Sequence, residues 1–105
     1  MYEGEYRDDK KNGVGVYRYD NGDVYEGAFA DDKRNGYGVQ KYKNGDTYEG
    51  PWRNDQKSGK GIYKYLDNSI YDGEFFEDMK HGYGKLKFAN GNLVEGEFAN
   101  NKLNG

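Results

Sequence analysis

The stretch Tyr25-Glu26-Gly27-Ala28-Phe29-Ala30-Asp31-Asp32-Lys33-Arg34-Asn35-Gly36-Tyr37-Gly38-Val39-Gln40-Lys41-Tyr42 decides the fold. Its first five residues alternate ring, acid, glycine, small residue and ring, and from Gly36 to Tyr42 the alternation resumes after a polar interval. A period of two belongs to β-strands. Outward from this stretch, the Tyr25-Glu26-Gly27 opening returns as Tyr2-Glu3-Gly4, Tyr48-Glu49-Gly50, Tyr71-Asp72-Gly73 and Val94-Glu95-Gly96, each 23 residues from the last. A repeat of that length makes the chain a stack of like units, 2–24, 25–47, 48–70, 71–93 and a shortened 94–105.

Two kinds of turn join the strands. Asn21-Gly22, Asn44-Gly45 and Asn90-Gly91, with Asn68-Ser69 in the third unit, read as two-residue type I′ hairpin turns, in which both residues take positive φ. The other turn reads as a longer polar loop, Ala30 to Gly36 in the second unit. Hairpin upon hairpin with no helical segment predicts an all-β, elongated, single-layer antiparallel meander of about nine strands, roughly 40 Å long at ~4.8 Å per strand step. Stability then comes from each unit's contact with its neighbours.

The two-residue turn sets Val24 opposite Tyr19 and Tyr25 opposite Arg18. With no bulge, one face collects Tyr25, Gly27, Phe29, Tyr37, Val39 and Lys41, and the other Glu26, Ala28, Gly38, Gln40, Tyr42 and Thr47. Glycine inside strands needs a reason. Gly27 and Gly38, with their counterparts in the other units, fit a backbone that large rings cover and that bends into a trough.

The composition is one-third charged and only one-third hydrophobic, with twelve Tyr, five Phe and one Trp, which is too polar for a thick two-layer core. Rings instead supply area that is buried on one side and wet on the other. A net charge of −3 with interspersed signs gives no long-range attraction to nucleic acid or anionic membranes. No apolar run reaches the ~18 residues of a membrane helix, and no signal peptide opens the chain. With no cysteine and no Asn-x-Ser/Thr acceptor, the expected location is intracellular and cytoplasmic.

No catalytic set is legible, and no enzyme is expected: there is one histidine and no cysteine, and His81 occupies the loop slot held by Asn12, Asn35 and Ser58 elsewhere. The Gly-x-Gly pairs lack the third glycine and helix of a nucleotide turn, and acidic turns such as Asp20-Asn21-Gly22-Asp23 lack the spacing of a calcium loop. No cofactor or metal is expected. Two columns of bases stand out. Arg18, Lys41, Lys64 and Lys87 fall beside Tyr25, Tyr48, Tyr71 and Val94, either as a solvated cation-π ladder or as a docking strip. Lys10-Lys11, Lys33-Arg34, Lys57, Lys80 and Lys102 fall in the long loops, where adjacent acids neutralise them and argue against a strong membrane or nucleic-acid patch.

The pattern Tyr-Glu-Gly-x-aromatic, then Asn/His-Gly-x-Gly, then Tyr and Asn-Gly-Asp closely resembles the MORN (membrane occupation and recognition nexus) repeat over essentially the whole chain. The departures are Val94 for the leading Tyr, Asn68-Ser69 for Asn-Gly, Pro51 after Gly50, and Lys60 and Lys85 where hydrophobic residues stand in other units. Pro51 implies an edge, a bulge or an outward N–H. The resemblance implies an elongated twisted sheet serving as a scaffold in cytoskeletal, junctional or flagellar settings, often as part of a larger protein, with lipid binding also ascribed to the family. An array that stops twelve residues into a fifth unit looks like a segment whose last edge continues elsewhere.

These readings combine into a non-enzymatic interaction module that presents an aromatic, glycine-floored trough to a protein partner such as an amphipathic helix, with self-association through end strands or the aromatic face. Tyr25, Phe29, Tyr48, Trp52, Tyr71 and Phe75 are the candidate anchors, with Lys41 and Lys64 steering, and intramolecular packing is their alternative role. The competing functions are a phosphoinositide-binding module and an accessory array of a larger enzyme; nucleic acid is not an expected partner.

Overall fold

The computed structural model describes residues 1–104, the side chains of the last three aside. The strands are β1 (Tyr2–Arg7), β2 (Lys10–Arg18), β3 (Val24–Ala30), β4 (Lys33–Lys41), β5 (Thr47–Arg53), β6 (Gln56–Lys57), β7 (Gly59–Lys64), β8 (Ile70–Phe76), β9 (Met79–Lys87), β10 (Leu93–Ala99) and β11 (Lys102–Asn104). They form one open antiparallel sheet in chain order, β6 and β7 being two halves of one strand interrupted at Ser58. The meander is as expected, with ten strand positions rather than nine because Lys102–Asn104 pairs with β10. Its Cα extents are 46 × 23 × 17 Å, and a single pleated layer reaches 17 Å in its thinnest dimension only by twisting and curling.

The turns correct the expected register. The supposed long loop is the tight turn: Asp31 and Asp32 both take positive φ (51° and 69°) between the paired residues Ala30 and Lys33. Asp8-Asp9, Asn54-Asp55, Glu77-Asp78 and Asn100-Asn101 repeat it, so these are the two-residue I′ hairpins. At the Asn-Gly site only the glycine is left-handed (Gly22, φ 102°), and Gly22 N–H donates to Tyr19 O (3.1 Å) while Tyr19 N–H donates to Asp23 O (2.9 Å). That is a three-residue loop with a left-handed third position. The Asn side chain closes it by accepting Asp23 N–H at 2.9 Å. In the third unit Asp67-Asn68, not Asn68-Ser69, takes this place: Asn68 is left-handed (φ 75°) and Asp67 accepts Ser69 N–H.

One extra loop residue slips the pairing by one. Tyr25 lies opposite Tyr17 and Gln40, and Val24 opposite Arg18 and Lys41. Tyr25, Gly27 and Phe29 therefore share their face with Gly38, Gln40, Tyr17 and Tyr48, whereas Tyr37, Val39 and Lys41 fall on the other with Glu26 and Ala28. The expected partners of the ring face were exchanged between faces. A bulge also recurs: between the Gly27–Gly38 and Phe29–Arg34 pairs, Ala28 opposes Asn35, Gly36 and Tyr37. Pro51 holds Ala28's place in the next unit, at the gap between β6 and β7, so the ladder there has no place for its missing N–H.

The core is a ladder of rings on the curled face. Tyr2, Phe29, Tyr25, Trp52, Tyr48, Phe75, Tyr71 and Phe98 meet edge to face in that order, with centroids 5.0–5.5 Å apart and planes at 80–89°. Such pairs contribute about 0.5–1.5 kcal/mol each beyond the area they bury. Each leading tyrosine lies over the glycines of two strands and donates its hydroxyl to the carbonyl three residues on, as Tyr48 does to Pro51 O (2.9 Å). Rings from consecutive units thus interdigitate, which is why a one-layer sheet encloses Tyr25, Tyr48 and Tyr71 completely.

Candidate functional site

Beside the buried ladder, the ring face carries a second row, Tyr17 and Tyr19, Tyr42, Tyr63 and Tyr65, packed against the core yet partly exposed. Tyr17–Tyr19 (4.5 Å), Tyr42–Tyr63 (5.8 Å) and Tyr63–Tyr65 (4.7 Å) are tilted neighbours. Gln40 takes the column position of Tyr17 and Tyr63, and Arg34 Nη1 donates to its Oε1 at 3.1 Å. Among the second-row hydroxyls, Tyr63 donates to Asp46 Oδ2 at 2.8 Å. Burial raises the Tyr42 hydroxyl to about 12, and burial with the Asp46 carboxylate raises that of Tyr63 further.

A row of cations lies over these rings, one to a unit: Lys11, Arg34, Lys57 and Lys80. The Arg34 guanidinium is 4.2 Å from the Trp52 ring centroid, and Lys57 Nζ is within 5.8–6.0 Å of Tyr42, Tyr48, Trp52 and Tyr63. These are the second basic column, and the structure sets Lys11, Arg34, Lys57 and Lys80 on strands against the ring face rather than in loops. Lys102 lies outside the residues whose side chains are described. Burial lowers the Lys57 ammonium's pKa, opposed by Asp78.

Each base is clipped to the turn of the following unit. Asp32 Oδ1 accepts Lys11 N–H (2.7 Å) and lies 3.3 Å from its Nζ; Asp55 Oδ1 accepts Arg34 N–H (2.7 Å) and Nε (3.1 Å); Asp78 Oδ1 accepts Lys57 N–H (2.7 Å). The backbone bond from Lys11 holds the exposed Asp32 carboxyl below its usual range. In the fourth unit Asn101 Oδ1 accepts Lys80 N–H (2.8 Å), so among the described residues Lys80 is the cation of this row with no acid partner. Sequence reading missed these clips, although the constant interval of 21 residues from base to Asp or Asn carried their signal.

The candidate anchors take their alternative role, intramolecular packing. Tyr25, Tyr48 and Tyr71 have no exposed surface and Phe29, Trp52 and Phe75 almost none, because they are the core of the fold. The Trp52 indole N–H is buried without a partner. Lys41 and Lys64 are exposed on the opposite face, paired with Val24, Thr47 and Ile70, so the column of Arg18, Lys41, Lys64 and Lys87 does not lie beside the leading tyrosines. The one-residue slip is the reason for this correction.

Among the described residues no three His, Cys, Asp or Glu side chains gather as a metal site, and no helix is long and apolar enough to cross a membrane. No curated protein matches the chain. The MORN repeat profile matches residues 2–24, 25–47, 48–70, 71–93 and 95–105. MORN repeats are protein- and membrane-interaction modules, not enzymes. The first four of the five consecutive matches coincide with the ring-over-glycine unit described above, the fifth covers the shortened unit without its leading ring, and the chain belongs to the MORN repeat family.

Proposed function

We propose that the chain is a non-enzymatic protein-interaction module whose contact surface is the row of half-exposed tyrosines on the ring face. The observation that carries this reading is the division of labour between the two rows: the leading tyrosines are consumed by the fold, while Tyr17, Tyr19, Tyr42, Tyr63 and Tyr65 keep one side open beside the cation row. Tyrosine supplies a large, rigid contact area at little entropic cost. The partner segment is amphipathic, with an apolar side on the rings and a carboxylate over Lys80, whose Nζ lies 5.6 Å from the Tyr65 ring. Tyr25, Phe29, Tyr48, Trp52, Tyr71 and Phe75 serve this surface from beneath by setting its curvature. Lys41 and Lys64, on the other face, have no part in it.

A phosphoinositide surface is less favoured, since Lys11, Arg34 and Lys57 already pair with Asp32, Asp55 and Asp78 at 3.1–3.4 Å. The test places a photo-cross-linking residue at Tyr42 in one variant and at Val39, on the opposite face, in another, and exposes each to native lysate. One protein captured from position 42 alone, and lost on Tyr19→Ser with Tyr65→Ser while circular dichroism is unchanged, is the expected result. Capture from position 39 alone, or capture indifferent to the two serines, refutes the reading.

A further inference from the structure

The face away from the rings carries two stripes of opposite charge. Down its middle the paired residues run Glu3, Val16, Glu26, Val39, Glu49, Ile62, Asp72, Lys85, Glu95, with an acid on alternate strands. Two residues along each strand runs a second row, Arg18, Val24, Lys41, Thr47, Lys64, Ile70, Lys87, Leu93, with a base on alternate strands. All these charges are exposed, and among them only Lys85 and Glu95 form an ion pair, at 3.9 Å. Between them Val16, Val24, Val39, Ile62 and Ile70 are only half covered.

We propose that this outer face is a self-association surface for a second copy of the chain, packed back to back with the two arrays parallel. Charge complementarity chooses the occupant and its orientation. The stripes lie about 7 Å apart, two residues along a strand. A two-fold axis running along the array midway between them lays the acid stripe of each copy over the basic stripe of the other, so that each of Glu26, Glu49 and Asp72 falls between the bases of two neighbouring strands, over the uncharged residue that separates them. A two-fold axis along the strands would set acid on acid and base on base, which costs several kcal/mol. The two rows, each taking about 7 Å of strand, make a strip about 14 Å wide. Over the 46 Å length of the array this covers roughly 640 Å² per copy, about 1,300 Å² in total, within the range of specific interfaces. The ring face stays open in such a pair, so this surface is independent of the one assigned above to a partner.

The experiment measures mass by light scattering and fold by circular dichroism. One variant carries Lys41→Glu and Lys64→Glu, and a second carries Glu26→Lys and Glu49→Lys. The parent chain is expected to reach twice its 12.1 kDa mass and to dissociate as salt rises. Each variant alone stays at the monomer mass, while an equimolar mixture of the two restores the doubled mass, because one then presents acid stripes to the other's basic stripes. A parent that remains monomeric as its concentration is raised overturns the proposal. So does association that survives both charge reversals, which would assign pairing to the end strands, or a mixture that fails to restore the dimer.

Discussion

The contact between Tyr48 and Gly61 shows how one residue type sets the terms for another. A β-carbon built at Gly61 would lie 2.6 Å from Tyr48 Cε1 and 2.7 Å from Cζ, closer than packed carbons approach. Gly61 is not left-handed, so its requirement is space alone. Gly61→Ala should therefore destabilise the chain by about 2–3 kcal/mol, the cost of an overpacked core plus lost ring stacking, as read from a denaturant midpoint. Gly91 is the contrast, because a β-carbon there meets nothing within 4 Å and only its φ of 94° asks for glycine. The first role was legible in the sequence, since Gly61 and its counterparts Gly15, Gly38 and Gly84 recur midway along the second strand of each unit, where only a covering ring explains them. The burial of those same rings was not: a tyrosine that covers a glycine and one that offers its face to a partner are written with the same letter.

Hairpin turns show where element-scale reading goes astray. Asn-Gly suits both a two-residue I′ turn and a longer loop whose third position is left-handed, and the choice rests on whether Asp23 pairs with Tyr19, which no local composition reveals. The acid pairs read as part of a longer polar loop; in the structure the carboxylate of the second, bonded to the preceding unit, holds a tight turn. Glu77 is the least suited residue at such a site, at φ 50° where the third and fifth units place Asn54 and Asn100. Glu77→Asn should raise stability by about 0.5–1 kcal/mol with no change in secondary structure, checked by thermal melts of parent and variant. Asn101 shows that an amide accepts the neighbouring backbone N–H as an acid does. Asp55→Asn should accordingly keep the turn and lose only the charged contact to Arg34, costing under about 1 kcal/mol in a denaturant titration.

Across the whole molecule the shared ladder ties ionisation to unfolding. Burial raises the hydroxyl of Tyr71 to about 12 and those of Tyr25 and Tyr48 above it, against about 10 for a free phenol. A raised folded-state value means that the native chain holds protons the unfolded chain releases, so the stability is full below pH ~10 and is lost as pH climbs toward 12. Phenolate absorbance and loss of ellipticity should rise together over that window; ionisation of the full tyrosine complement well before unfolding would contradict the burial of the ladder. The same long-range order was the most legible property of the sequence, because an unbroken 23-residue period dictates neighbour-on-neighbour packing whatever the register.

The hydrogen bonds between strands run along the long axis of this array, and its first and last strands lie at opposite ends of that axis. A pull applied at the two ends therefore loads those bonds in tension, and an outermost strand peels away before its neighbours feel the strain. Each hairpin released adds contour length while the remainder stays folded. Built into a tether, the chain would act as a compliant spacer that yields by instalments under low force and winds back when the load is removed.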